Sequence, residues 1–426
     1  MFFTEFLLLI GLAISVGNAQ STKVQPWIPM PTSVYGINGP NALPRKVQPS
    51  FSENTNTRNV RVFIAIALRN AEHLIRGGVW NEALLTLIDI LGPENTFVSI
   101  YESDSTDGTA KALQELKDRI KSPSSIVSKS LLKPAARREI ETPLRRIQHM
   151  ANVRNHALLP FYEQHRVTTF DDPSLSKPYD RILWMNDVYF DPFDILSLIL
   201  ETNGGDYSAA CALDYIDPIT MYDYFALRDS EGRIPVTTNF PYFGEGKSRE
   251  QMLRSHTRDI SVKACWGGIT SFDARPFYQR PEISFRDSKS DTWEASECCL
   301  IHADLAAENA TFVNSAVRVA YDEWTFSWLP LALGVERWVY GVLQSLSAIK
   351  ERLVGTCSAS VSSEMSLLRA YGIEQVIRPD SHDGFCSWPF LMYMGRHDET
   401  QAKSLQGKYV PGHQDGPNST YWVMTI

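Results

Sequence analysis

Between residues 60 and 190 the chain alternates short apolar runs with longer stretches whose apolar positions recur at helical spacing. The runs are rich in β-branched and aromatic residues, as in VRVFIAIAL at residues 60–68 and TFVSIYE at residues 96–102. Such runs predict buried strands, and the stretches between them predict helices. Strands that alternate with helices favour an α/β domain with a mostly parallel central sheet flanked by helices.

The predicted strands end in polar residues. The clearest case is YDRILWMNDVYFDPFDI at residues 179–195, where an apolar run ends at Asn186 and Asp187, and Pro192 begins the next helix. The strand at residues 96–102 likewise ends in Glu102, followed by Ser103. Because ligands of open α/β sheets bind beyond the carboxyl ends of the strands, we expect a site at this edge.

One arginine falls on the apolar side of a predicted helix. Thr142 and Pro143 are typical of a helix start, and Arg154 shares the stripe of Ile147, Ala151, Leu158 and Phe161. A buried guanidinium is costly unless an anion neutralises it, so Arg154 contacts either a ligand or an internal carboxylate. The sequence leaves both open. The basic stretch of Arg137, Arg138, Arg145 and Arg146 is more typical of a solvated helix face.

The second half of the chain carries further candidate residues. A predicted strand at residues 206–217 contains Asp214, and Trp266 precedes two glycines, which suits either a flat or sugar-like ligand or a turn with a core tryptophan. We predict a strand over residues 295–305, which places Glu297 and His302 on opposite faces. A lone histidine in such a run is more often a core residue than a ligand.

The terminal segments predict passage through the secretory pathway. An apolar run at residues 6–16, followed by Gly17 and Ala19, predicts a signal peptide at residues 1–19, with a short signal anchor as the alternative. Membrane association is therefore expected only through the N-terminus. Residues 20–58 are predicted to form a flexible stem, residues 59–350 the folded domain and residues 351–426 a C-terminal extension.

The net charge and the cysteine content argue against some classes of ligand. The formal charge of −8 gives no reason to expect nucleic acid, so an anionic ligand needs a local site. The six cysteines have no CxxC spacing, which argues against zinc, and an oxidising lumen permits disulfides. We expect Cys357 and Cys386 to hold the extension in place. The sequons at Asn309 and Asn418 agree with a glycosylated protein.

The order of these features suits a nucleotide-sugar site. Mg²⁺ or Mn²⁺ takes oxygen ligands from one or two carboxylates and completes its shell with phosphate oxygens and water. An acidic turn, a helix with an RN pair and a strand ending in Asn186 and Asp187 provide those groups. Such an ion stabilises a departing diphosphate.

Seven segments in this order resemble the fungal cryptococcal α-1,3-mannosyltransferase family, glycosyltransferase family 69. The segments are VFIAIALRNAEHL, FVSIYESDSTDGT, HMANVRNHALLP, ILWMNDVYFDPFDIL, CALDYIDPITMYDYFALRD, CWGGITSFDARPF and SECCLIHADL. The resemblance covers roughly residues 60–330. It implies a GT-A type fold, a GDP-mannose donor, an α-mannoside acceptor, Mn²⁺ (or Mg²⁺) dependence, a retained α-1,3 linkage and a Golgi lumenal or secreted location.

The resemblance also implies roles for individual residues. Donor binding is expected at Glu102, Ser103, Arg146, Arg154 and Asn155. Metal binding is expected at Asp187, Asn186 and His302, acceptor binding at Asp223, Arg228, Trp266 and Gly268, and catalysis at Glu297 and Asp214. The family usually has Trp-Asn-Gly where this chain has Trp266, Gly267 and Gly268, which puts acceptor choice or activity in question.

Two questions stay open at this level. Retention can proceed through a carboxylate nucleophile or by same-face attack assisted by the leaving phosphate, and the sequence does not choose. The altered Trp-Gly-Gly segment also fits a secreted carbohydrate-binding protein that keeps the fold with little or no turnover. A metal-dependent nucleotidyltransferase shares the acidic cluster, but a lumenal signal disfavours it.

Overall fold

The computed structural model describes residues 58–131, 143–170, 178–254, 258–288, 295–305, 310–354, 384–386, 408–410 and 422–424. The predicted signal peptide, almost all of the stem, both sequons, Cys357 and most of the C-terminal extension lie outside these residues. None of the helices in the described part of the chain has both the length and the apolar character that a membrane span requires.

The first half of the fold follows the predicted strand and helix alternation. Its elements are β1 (Val62–Leu68), α1 (Glu72–Arg76), α2 (Val79–Leu91), β2 (Thr96–Glu102), α3 (Thr109–Lys117), β3 (Ser124–Ser128), α4 (Pro143–Phe170), β4 (Arg181–Met185) and α5 (Pro192–Glu201). The helix expected after β1 is divided into α1 and α2, because Gly78 adopts a φ of 87° between them. The carboxylate of Asp191 accepts from the Phe193 and Asp194 amides and caps α5.

The second half is less regular. Its elements are β5 (Ala209–Asp217), β6 (Thr220–Met221), β7 (Arg228–Asp229), α6 (Lys247–Leu253), β8 (Asp259–Ala264), β9 (Ile269–Asp273), α7 (Glu297–Asp304), β10 (Thr311–Ala320), α8 (Glu323–Val354), β11 (Lys408–Val410) and β12 (Trp422–Met424). The strand predicted over residues 295–305 is wrong, since this segment forms α7. The Ser296 side chain accepts from the Cys298 amide and starts the helix, and a short apolar run does not separate a buried helix from a strand.

The central sheet is mixed rather than mostly parallel. Its order is β3-β2-β1-β4-β9-β5-β10-β8-β7, with β6 paired to β5. β1 pairs in parallel with β2 and β4, but β9 lies antiparallel between β4 and β5. β8 directly precedes β9 in the chain but pairs with β10 and β7, so β9 is not placed by a hairpin with its sequence neighbour. The carboxyl ends of β1, β2, β4, β5 and β10 nevertheless share one edge.

Both faces of the sheet are covered. Successive residues of β1 alternate between two apolar clusters, with Val62, Ile64 and Ile66 on one side and Phe63 and Ala65 on the other. Helices α2 and α5 contribute to the first cluster, and α4 and α7 contribute to the second. The α/β class with flanking helices is therefore confirmed.

Two disulfides join distant parts of the chain. One links Cys211 in β5 to Cys265 after β8, and the other links Cys299 in α7 to Cys386. Of the two cysteines expected to hold the extension, Cys386 is bonded to Cys299 and Cys357 lies outside the described residues. The sequence gives the number of cysteines but not which of them the fold brings together.

Candidate functional site

The ends of β4 and β10 meet the turn that precedes β9. The amide of Asn186 donates to the Gly268 carbonyl at 2.8 Å, and the Tyr189 amide donates to the Ala320 carbonyl at 2.7 Å. The polar residues after β4 therefore lie beside the turn before β9 and the carboxyl end of β10, at the edge where the sequence predicts a site.

Two acids form a hydrogen-bonded cluster at this edge, with Asp214 buried and Asp223 half-buried. Asp214 accepts from the Asp223 amide at 3.0 Å and from the Tyr321 hydroxyl at 2.9 Å. Asp223 in turn accepts from the amides of Ala226 at 3.0 Å and Gly267 at 3.1 Å. Burial, and then the neighbouring Asp223 carboxylate, raise the pKa of Asp214 to about 7. Burial also raises the pKa of Asp223.

Arg154 and Glu297 form an ion pair between α4 and α7. Their Nη1 and Oε1 atoms lie 2.5 Å apart, and both side chains are buried. The Arg154 guanidinium also lies 4.9 Å from the centre of the Trp266 ring. The sequence allowed Arg154 to contact either a ligand or an internal carboxylate, and the structure shows the carboxylate of Glu297. The Nε atom of Arg154 has no hydrogen-bond partner among the described residues.

Asp187 differs from these acids because its side chain is exposed to solvent. Crowding by the surrounding protein nevertheless raises its pKa, and the charges of His73 and Arg154 partly oppose that rise. Burial has the largest effect on the pKa of the Tyr321 phenol and raises it, while the side chain of the adjacent Asn186 lies near that phenol and tends to lower its pKa.

The oxygen donors of Asn186 and Asp187 fit a divalent cation that completes its shell with phosphate and water. His302 has different surroundings: it is buried on α7, and its Nε2 lies 2.6 Å from the Cys265 carbonyl oxygen. Burial lowers the pKa of His302 to about 4. The ring of His302 and the sulfurs of Cys211 and Cys265 lie close enough together to share a metal ion, but the two sulfurs are joined as a disulfide. Its geometry therefore supports a packing role rather than the expected metal-ligand role.

Two further residues that are predicted to bind a ligand make hydrogen bonds to the protein backbone instead. Arg228 is fully buried, and its guanidinium donates to the carbonyl oxygens of Phe225, Leu227, Phe385 and Cys386. Asn155 donates to the Phe285 carbonyl and accepts from the Phe285 amide, each at 2.8 Å. Arg228 and Asn155 therefore stabilise the positions of neighbouring segments.

The predicted nucleotide residues lie further along the same edge. Glu102 is buried, and its Oε1 accepts from the Ser105 amide at 2.9 Å. Ser103 donates to Asp104 at 2.5 Å. β1 separates their strand from β4. Arg146 is exposed on α4. Roles for these residues in donor binding stay predictions.

The local backbone explains why glycine follows Trp266. Trp266 itself is buried, 5.8 Å from the ring of Trp184. Gly267 has a φ of 58°, and a Cβ atom there would lie 1.9 Å from the Ala212 carbonyl oxygen. A side chain at this position is incompatible with the local backbone, so Gly267 is a packing requirement of this chain. A Cβ on Gly268 would lie 3.3 Å from that of Asp214.

Tyr321 is the residue of this cluster that the sequence does not reveal. It follows β10 directly, donates a hydrogen bond to Asp214 and lies near Asn186. A tyrosine after an apolar strand carries no motif of its own. Only the parallel pairing of β10 with β5 brings it to the acids.

Comparisons with known sequences show which family the chain matches. The family model described as cryptococcal mannosyltransferase 1 matches residues 61–304. The alpha-1,3-mannosyltransferase CMT1 of Cryptococcus neoformans var. neoformans serotype D is 24% identical over 253 residues, which cover 56% of this chain and 53% of that protein. The chain thus matches about half the length of this curated relative.

Three solved structures show limited similarity. Mannosyltransferase PcManGT from Pyrobaculum calidifontis, in complex with GDP-Man and Mn²⁺, has a TM-score of 0.36 and 11% identity, covering 68% of this chain and 66% of that chain. TarS of S. aureus has a TM-score of 0.32 and 11% identity, covering 61% and 60%. Glucosyl-3-phosphoglycerate synthase from Mycobacterium tuberculosis, with Mg²⁺ and uridine diphosphate, has a TM-score of 0.30 and 11% identity, covering 61% and 70%.

The predicted α/β class is confirmed, with the mixed central sheet described above. Because the family model matches more than half of the chain, this protein belongs to the cryptococcal mannosyltransferase 1 family.

Proposed function

We propose that this protein is a metal-dependent glycosyltransferase that moves mannose from GDP-mannose to an α-mannoside acceptor, with retention and an α-1,3 linkage. The observation that carries the proposal is the exposed carboxylate of Asp187, at the same carboxyl edge of the sheet as the hydrogen-bonded cluster of Asp214, Asp223 and Tyr321. Membership in a mannosyltransferase family supports mannose as the transferred sugar.

Asp187 and Asn186 are the residues that would hold the divalent cation. When bound, Mn²⁺ or Mg²⁺ supplies positive charge that stabilises the departing diphosphate. The backbone amide of Asn186 is fixed by the Gly268 carbonyl, and its side chain lies near the Tyr321 phenol. A ligand residue with a fixed backbone is better placed before a donor arrives.

The two candidate nucleophiles are both buried and both have partners. The oxygens of Asp214 accept from Asp223 and Tyr321, and Glu297 is paired with Arg154. A carboxylate in this state is poorly placed to attack an anomeric carbon, because it would first have to lose those partners. We therefore favour same-face attack, with Asp214 and Glu297 acting as fixed charges and hydrogen-bond acceptors behind the sugar.

Two observations support synthesis in the secretory pathway. Two disulfides form between Cys211 and Cys265 and between Cys299 and Cys386, and disulfides persist in oxidising compartments. The apolar run at residues 6–16 supplies the expected entry signal or anchor.

The proposal is tested by incubating the purified full chain with GDP-mannose, Mn²⁺ and α-mannobiose. We expect transfer that stops with a chelator or with Asp187→Asn and continues with Asp191→Asn, because asparagine still caps α5. Product NMR should show an α-1,3 linkage. A fluorinated donor analogue should leave no adduct on Asp214 or Glu297, and such an adduct would contradict same-face attack.

Two other results would reject the proposal. Glycan binding without transfer, unchanged by chelator and by Asp187→Asn, identifies the carbohydrate-binding protein that the altered Trp-Gly-Gly segment suggested. Release of pyrophosphate from GTP and mannose 1-phosphate identifies a nucleotidyltransferase.

A further inference from the structure

Two of the four acceptor residues expected from the sequence, Trp266 and Arg228, are poorly placed to touch a bound glycan. Trp266 and Arg228 are both buried, and the guanidinium of Arg228 is occupied by backbone carbonyls. An acceptor that approaches the cleft must meet exposed side chains. The exposed groups beside Asp214 are therefore the place to look for its binding surface.

Four large apolar side chains are exposed on or directly after the β5–β6 hairpin, which includes Asp214, and on the first turn of α8, and we call them the corner patch. They are Ile216 (47% exposed), Ile219 (51%), Tyr222 (52%) and Trp324 (58%). Single exposed apolar residues need no explanation, but a group of this kind marks a binding surface.

Hydrogen bonds fix Tyr222 of the corner patch next to Asp214. The Tyr222 amide donates to the Asp214 carbonyl at 2.9 Å, and the Tyr222 ring packs edge-on against Tyr321 with centroids 4.7 Å apart. The Tyr321 hydroxyl donates to Asp214. Tyr222 thus lies one aromatic ring away from the Asp214 carboxylate.

The corner patch is also held in a fixed shape. Asp217 accepts from the amides of Ile219 and Thr220, each at 3.0 Å, and fixes the turn between β5 and β6. Thr325 donates to the Ile216 carbonyl at 3.4 Å and links the start of α8 to β5. A surface that is ordered before binding loses less entropy when a ligand arrives.

The charge around the corner patch restricts what binds it. Asp322 and Glu323 are exposed beside Trp324, and Asp217 borders Ile219. Carboxylates repel an anionic membrane surface and a second copy of the same patch. They accept hydrogen bonds from hydroxyl groups, while an aromatic face packs against apolar C–H groups. A neutral sugar offers both.

We infer that the corner patch binds the α-mannoside acceptor, with Tyr222 as the stacking platform for the sugar that receives the transferred mannose. This inference rests on the proposed function for the nature of the glycan. It assigns acceptor binding to residues that the sequence resemblance did not indicate, in place of the buried Trp266 and Arg228.

Kinetics of Tyr222→Ala test the inference. We expect the acceptor KM to rise about tenfold, while the donor KM and the acceptor-independent hydrolysis of GDP-mannose stay within about twofold. Tyr222→Phe keeps the ring and should behave like the wild type. Trp338→Ala is the matched control, because Trp338 is similarly exposed (54%) but lies further along α8. An unchanged acceptor KM in Tyr222→Ala overturns the inference.

A binding experiment separates this inference from the proposed function. Saturation-transfer NMR with α-mannobiose, GDP and Mg²⁺ should show sugar contact in the wild type and its loss in Tyr222→Ala. Contact through Tyr222 without turnover keeps the inference and rejects the transfer. Equal contact in both proteins, or no contact in the wild type, rejects the inference. So does a Tyr222→Ala variant that binds glycan normally but loses vesicle binding or self-association.

Discussion

Breaking the buried ion pair of Arg154 and Glu297 should weaken the contact between α4 and α7. Either Glu297→Gln or Arg154→Met leaves one buried charge without its partner, which costs about 3 kcal/mol of unfolding free energy. For the folded domain predicted over residues 59–350, that corresponds to a fall of roughly 5 °C in the melting midpoint. Because Arg154 also packs on Trp266, the Arg154→Met change should be at least as damaging.

The assay is differential scanning fluorimetry on both single variants and the double variant. The double variant should be less destabilised than the sum of the two, by more than about 1 kcal/mol, because it leaves no unpaired charge. Asp304→Asn is the matched control on the same helix, since its pair with Arg286 at 2.8 Å is partly exposed and worth about 1 kcal/mol or less. A fall after Glu297→Gln no larger than that of the control, or strict additivity, would refute the reasoning.

Three further results are expected. Tyr321→Phe removes the hydrogen bond to Asp214, so kcat should fall about tenfold in steady-state assays while the fold is kept, and full activity would contradict this. Because the folded-state pKa of Asp214 is raised to about 7, the stability linked to it is present below pH ~4 and lost as the pH rises to ~7. The melting midpoint of the wild type should therefore fall relative to Asp214→Asn between pH 5 and 8, and parallel curves would contradict this. Cys386→Ser opens the disulfide to Cys299 and should cost about 2–5 kcal/mol in chemical unfolding, whereas Cys298→Ser should cost far less; equal effects would count against a stabilising role for the bond.

Elements with local signals could be predicted from the sequence. The strand at residues 96–102 matches β2 in full, and the helix starts at Pro143 and Pro192 match α4 and α5. In these places a β-rich run or a proline with a capping residue acts over a few positions. The Asp191 cap is an example, because its partners are the next amides along the chain.

Features set by distant pairing could not be predicted. The antiparallel position of β9 between β4 and β5 depends on which edges meet in the folded sheet, and no local pattern carries that information. The segment that forms α7 is apolar enough to suit a strand or a helix, and tertiary packing decides between them. The Cys299–Cys386 bond spans 87 residues for the same reason.

The residues of the candidate site likewise include some with a local sequence signal and others that only long-range contacts bring into place. Asn186 and Asp187 are visible from the sequence because an apolar strand ends at them, and Arg154 because a charge interrupts an apolar stripe. Its carboxylate partner Glu297 lies 143 residues away, so only the fold decides between ligand and salt bridge. Tyr321 and Tyr222 carry no motif, and their proximity to Asp214 follows from strand pairing.

The central claim, that Asp187 holds a divalent cation against a nucleotide diphosphate, is tested most directly by calorimetric titration of GDP with and without Mn²⁺. We expect Mn²⁺ to tighten GDP binding at least about tenfold in the wild type and in Asp191→Asn, and to leave it unchanged in Asp187→Asn. Tightening of the same size in Asp187→Asn would contradict the account.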